Sequence, residues 1–165
     1  MKKYFIFLFV ITCSFVFSNE QLLQKMKMRQ PNWRFETVKF FENGDTESGL
    51  FYAPGENDNE EMAVKQISFY GYNRVKREVD VSVVDKDSEI AKKWNSAIIP
   101  NGVCVDFFES GAVEKISYYN EGLLEGEVTT YYGDRKKKQV VNYKDGILQG
   151  ETIAFYENGS KRELG

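Results

Sequence analysis

The chain has 165 residues, of which 28% are charged and 42% hydrophobic, and its formal net charge is −3 at pH 7. This composition is typical of a globular protein and not of a disordered one. The chain has no histidine and only two cysteines. This composition excludes serine–histidine catalysis, histidine-ligated zinc and cysteine-based metal centres. The chain also lacks a glycine-rich phosphate loop and any metal-ligand spacing, so we expect no cofactor and no enzymatic activity.

Residues 1–18 have the pattern of a secretory signal peptide. Lys2 and Lys3 precede an apolar run that ends at Phe17 and is too short for a comfortable transmembrane helix. We therefore expect cleavage after Ser18 and export to the periplasm, the cell envelope or the secreted space, with an uncleaved anchor as the alternative. Cys13 could belong to a lipobox, but we interpret it as an apolar residue of the signal core.

Two short helical segments are predicted. The first lies in the segment 19–34, where residues 19–30 have helical spacing and Pro31 ends the pattern. The second covers residues 88–97. After cleavage, Cys104 would be the only cysteine and the net charge would be −5, so we expect neither an internal disulfide nor binding to nucleic acid.

A repeat extends over residues 35–165; it is degenerate over 35–102 and regular over 103–165. The segments 118–141 and 142–165 align without a gap at a period of 24 residues. Pairs of adjacent aromatic residues begin at positions 40, 69, 107, 131 and 155. The positions that we expect to be structurally important in the repeat are Tyr119, Gly122, Gly126, Tyr132, Tyr143, Gly146, Gly150, Tyr156 and Gly159.

Each repeat unit predicts two short strands. Residues 138–143 and 151–156 are rich in strand-forming residues, and the dipeptide 145–146 (Asp-Gly) suits a two-residue hairpin turn. Gly126 and Gly150 lie within strand patterns, where we expect them to allow close approach between the backbones of neighbouring units. The predicted fold class is all-β, with tandem β-hairpin repeats forming an elongated twisted antiparallel sheet and one or two short helical insertions.

The motif Tyr-x-x-Gly-x-Leu-x-Gly-Glu occurs at residues 119–127 and 143–151, each time followed by an aromatic pair. It resembles the MORN-variant repeat of the bacterial YwqK-type antitoxin family, and the resemblance is good over residues 103–165. The resemblance implies a β-hairpin solenoid that acts in protein or membrane association without catalysis. An antitoxin that neutralises a cytosolic toxin needs no signal peptide, so export points away from that role unless the toxin is itself secreted.

The candidate binding patch is the strongest local run of positive charge, and a weaker run at 74–77 follows an earlier aromatic pair. Two functions stay open: an exported protein–protein interaction module, antitoxin-like in character, with an unidentified protein partner, or a peripheral adaptor that binds an anionic membrane surface. The stronger run consists of Arg135, Lys136, Lys137 and Lys138.

Overall fold

A computed structural model of the chain describes residues 23–55 and 60–162. The predicted signal peptide, its cleavage site at Ser18 and Cys13 lie outside the described residues. Within the described ranges, no helix is both long enough and apolar enough to cross a membrane.

The described residues form one antiparallel sheet of eleven strands. The strands follow one another across the sheet in chain order, and the two-residue β7 pairs with β6 beside β8. The predicted all-β fold of consecutive hairpins is therefore confirmed. The strands are β1 Arg34–Phe40, β2 Thr46–Pro54, β3 Glu61–Tyr70, β4 Arg74–Val83, β5 Ile98–Phe107, β6 Val113–Asn120, β7 Leu123–Leu124, β8 Gly126–Tyr131, β9 Lys137–Lys144, β10 Ile147–Phe155 and β11 Lys161–Arg162.

Four turns share one hydrogen-bond pattern that begins at the second residue of an aromatic pair. After β5, the Phe108 N–H donates to the Ala112 carbonyl, and the Gly111 N–H donates to the Phe108 carbonyl, both at 2.8 Å. Gly111 has a φ of +84°, which glycine adopts without strain. The same two bonds recur in the turns at 41–45, 132–136 and 156–160.

A second kind of turn ties each regular unit to the unit before it. Gly122 and Gly146, together with the residue before each, have positive φ, as a type I′ hairpin turn requires. The Gly122 N–H donates to the Pro100 carbonyl, and the Gly146 N–H donates to the Leu124 carbonyl, both at 2.8 Å. The 24-residue period of the sequence thus reappears in the backbone hydrogen bonds.

The expectation for Gly126 and Gly150 is wrong in its physical reason. No atom lies within 4 Å of the place where a Cβ would stand at either position, so neither glycine allows a close approach. Their φ angles are +76° and +66°. Glycine suits these positions because the backbone there is left-handed, a conformation that strains other residues.

The second predicted helix is confirmed in a shorter form, Glu89–Trp94, which we call α1. The Ser88 side chain accepts a hydrogen bond from the Ala91 N–H and caps its start, and Asn95 ends it with a φ of +50°. Trp94 donates from Nε1 to the Gly122 carbonyl at 3.1 Å. A Cβ on Gly122 would stand 2.8 Å from that nitrogen, so the helix packs closely on this turn.

The first predicted helix is wrong over most of its described part. Only residues 23–25 are helical, and residues 26–30 lie along the sheet without regular structure. This segment is bound to β4 instead. The Lys27 N–H donates to Asp80 Oδ2 at 3.0 Å, and Arg29 forms an ion pair with Glu78 at 2.6 Å.

The sheet buries apolar residues on both of its faces, since successive side chains of a strand point to opposite sides. One cluster contains Val79, Val81 and Cys104, with Tyr119 packed against it. Trp94 of α1 contacts Tyr119, with ring centroids 6.2 Å apart, so we call this side the helix face. The other cluster is covered by Met26 of the N-terminal segment, and we call its side the N-terminal face; its buried residues are Val103, Val105 and Ile116.

Candidate functional site

An open groove of about 420 Å³ lies on the helix face. Four cationic and two acidic side chains line it, although the whole chain is net negative. Two aromatic rings complete its walls. These eight residues are Lys76, Arg77, Lys115, Lys138, Asp106, Glu114, Tyr70 and Phe108.

Strand register brings together residues that are far apart in the sequence. Arg77 of β4 pairs with Asp106 of β5, which pairs with Lys115 of β6. Lys115 pairs with Thr130 of β8, and Thr130 pairs with Gln139 of β9. These five residues therefore form one row across five neighbouring strands, and all five line the groove.

Three β-bulges add a second set of side chains to the same groove. The register skips Lys76 between Arg77 and Val75, and it skips Glu114 and Lys138 in the same way. A bulge places one extra residue in a strand and changes the direction of its side chain. Adjacent residues, such as Lys76 and Arg77, therefore both line the groove instead of pointing to opposite faces.

An ion-pair cluster in the groove spans β4, β5 and β6. Arg77 donates from Nε to Asp106 Oδ1, and Lys115 Nζ lies 2.9 Å from Asp106 Oδ2. Partial burial raises the pKa of Asp106, but the hydrogen bond from Arg77 and the ion pair with Lys115 outweigh it and lower the pKa below its ordinary value. Asp106 is therefore charged at neutral pH and is not a proton donor there.

The two outer lysines of the groove lie over tyrosine rings. Lys76 Nζ is 5.6 Å from the centroid of the Tyr70 ring, and Lys138 Nζ is 5.7 Å from that of Tyr132. Both tyrosine hydroxyls donate to a backbone carbonyl of a later aromatic pair, at 3.0 and 2.8 Å. These bonds fix the rings, and the cation–π contacts hold the ammonium groups beside them.

The four residues of the predicted binding patch, 135–138, lie in different surroundings in the structure. Arg135 is exposed at the tip of the turn between β8 and β9, with a φ of +70°. Lys136 Nζ is 2.7 Å from Asp134 Oδ2 and also donates to the Glu157 carbonyl at 2.9 Å. Lys137 is half-buried at the start of β9. Of the four residues, Lys138 alone lines the groove.

Sequence reasoning noticed the run at 74–77 but missed Lys115, which lies in the middle of the groove. No local pattern marks this residue, since its neighbours in sequence are ordinary strand residues. The signal that could have found it is the repeat itself: position 115 lies 24 residues before Gln139, which occupies the same row.

The remaining predicted repeat residues take structural positions. Burial raises the pKa of Tyr119, which packs under Trp94. Tyr143 and Tyr119 line a smaller cavity of about 220 Å³ beside the groove. Tyr156 is about half exposed, and Gly159 has a φ of +85° in the last aromatic turn.

Over residues 23–55 and 60–162, no cluster of three or more acidic or cysteine side chains could hold a metal ion. Burial raises the pKa of the Cys104 thiol to about 11, so it is not a reactive nucleophile. The chain matches no protein-family model, no curated protein and no solved structure.

Proposed function

We propose that this protein is an exported, non-enzymatic interaction module that binds a partner protein in the groove on its helix face. One observation carries the proposal: four cationic side chains and two aromatic rings line a single groove of a net negative chain. Aromatic residues are enriched in protein interfaces, and complementary charge guides the association of the two partners. A partner that presents acidic side chains fits this groove.

The acidic residues of the groove favour a protein over a membrane as the binding partner. Asp106 and Glu114 lie among the cations and would repel a continuous layer of anionic headgroups. A folded partner can place its own charges to avoid them. The resemblance to MORN-variant repeats also supports association without catalysis, and an antitoxin-like role follows if the partner is toxic by itself.

The second candidate is a peripheral adaptor on an anionic membrane. It is supported by the exposure of Arg135 and Lys138 in the basic run. It is weakened by Lys136, which is engaged by Asp134 and by the Glu157 carbonyl. Fewer cations of the run are therefore available to headgroups than the sequence suggests.

The test is a pull-down of the full chain, carrying a C-terminal tag, from its native organism. Membrane and soluble fractions are processed separately, for the wild type and for Lys76→Glu/Lys138→Glu. The matched control is Lys86→Glu/Lys93→Glu, which reverses two exposed charges outside the groove.

We expect one stoichiometric protein in the soluble fraction that is lost with the groove variant and kept with the control. Retention of that protein by both variants would refute the groove as its site. Recovery with membranes alone, abolished by Arg135→Glu/Lys138→Glu, would replace the proposal with the adaptor function.

A further inference from the structure

The two outer lysines of the groove lie at opposite ends of a five-strand row. Lys76 is on β4 and Lys138 is on β9, and β5, β6 and β8 lie between them in the sheet. Neighbouring strands are about 4.8 Å apart, so four steps separate the two backbones by about 19 Å. An extended peptide advances about 3.3 Å per residue, and about six residues cover this distance.

The middle of the groove has the opposite preference. Asp106 already takes up Arg77 and Lys115, which leaves the Glu114 carboxylate as an added negative charge beside them. A carboxylate placed there would meet this charge, whereas an uncharged side chain would contact the Phe108 ring that lines the groove.

We propose that the groove binds an extended segment of the partner that lies across the strands, with two carboxylate side chains six residues apart and uncharged residues between them. One carboxylate pairs with Lys76 and the other with Lys138. This inference rests on the proposed function and specifies the acidic element of the partner that the groove recognises. The spacing follows from the sheet, because bulges on β4 and β9 point both lysines into the same groove.

The experiment uses the ¹⁵N-labelled full chain and two synthetic peptides of equal composition. Both peptides are acetylated and amidated; one has glutamates at positions i and i+6, and the other has them at i and i+2. Each is titrated while the amide shifts of Lys76, Lys115 and Lys138 are followed. We expect the i, i+6 peptide to bind about threefold more tightly, because the closer pair can reach only one lysine.

Variants connect this preference to the lysines. Lys76→Gln and Lys138→Gln should each remove the spacing preference, while Lys86→Gln, outside the groove, should keep it. Equal affinity of the two peptides for the wild type, or no shift at the groove amides with either peptide, would overturn the inference.

A further comparison distinguishes failure of this inference from failure of the proposed function. If the peptides show no preference but the pull-down partner is still lost with Lys76→Glu/Lys138→Glu, the recognised element is wrong and the proposed function stands. If the pull-down recovers the chain with membranes alone, and the wild type binds vesicles of phosphatidylcholine and phosphatidylserine in a mole ratio of about 7 to 3 through Lys138 but binds neither peptide, the inference and the proposed function both fail.

Discussion

Lys65 is the residue whose replacement most directly tests how the buried charges of the sheet affect its stability. Its side chain is 0% exposed, and Nζ lies 2.8 Å from Asp80 Oδ1 and 3.1 Å from Glu78 Oε1. The angles at Lys65 Nζ and at Asp80 Oδ1 do not fit a hydrogen bond, so the electrostatic attraction between the two charges stabilises this contact. Asp80 is itself 1% exposed, and its other oxygen accepts the Lys27 N–H.

The substitution Lys65→Met keeps the length of the side chain and removes its charge. Asp80 then stays buried without its nearest cation, a situation that costs about 3–5 kcal/mol. For a domain of this size, the loss corresponds to a decrease in Tm of about 6–20 °C. Urea unfolding, followed by tryptophan fluorescence and by circular dichroism, measures the decrease in the free energy of unfolding.

Two further variants show whether the buried charge is the cause. Lys115→Met removes a lysine that is 31% exposed and leaves Asp106 paired with Arg77, so it should cost about 1 kcal/mol or less. Lys65→Met with Asp80→Asn should recover part of the lost stability, because no unpaired charge remains at Asp80. A loss below about 1 kcal/mol for Lys65→Met, or a double variant less stable than the single one, would refute the reasoning.

Three other predictions follow from the turns and the titrating groups. Arg135 holds a left-handed position that glycine occupies in the equivalent turn at Gly111, so Arg135→Gly should stabilise the protein by about 0.5–1 kcal/mol in urea unfolding; a loss of stability would contradict the strain. The buried Cys104 thiol, with its pKa raised to about 11, should resist a thiol reagent at pH 8 until the chain unfolds, and rapid labelling of the native protein would disprove its burial. Partial burial raises the pKa values of Glu78 and Asp106, but the effect of their ion pairs is larger. The net result is that both pKa values lie below their ordinary values of 4.5 and 3.8. The stability they contribute is present above those values and lost as the pH falls toward the folded ones, so urea midpoints should decrease below about pH 4.5. The decrease should be less steep for Asp106→Asn, and equal slopes would exclude Asp106 as a contributor.

The sequence by itself determined the all-β fold, because its signals are local. In the C-terminal units, alternating strand residues, aromatic pairs and a dipeptide of an acidic residue and glycine recur after 24 residues, and each is decided by the conformational preferences of a few neighbouring residues. The helix at Glu89–Trp94 was predicted for the same reason, since the helical spacing of Ile90, Trp94 and Ala97 before Pro100 is a short-range pattern.

Tertiary structure alone decided the groove and the course of the N-terminal segment. Lys76, Lys115 and Lys138 meet because of strand register and three bulges, and a single skipped residue reverses the face to which a side chain points. Residues 26–30 do not form the predicted helix, because Glu78 and Asp80, about fifty positions later in the chain, bind them. Long-range pairing of this kind has no local pattern in the sequence, so it became visible only when the strands were placed side by side.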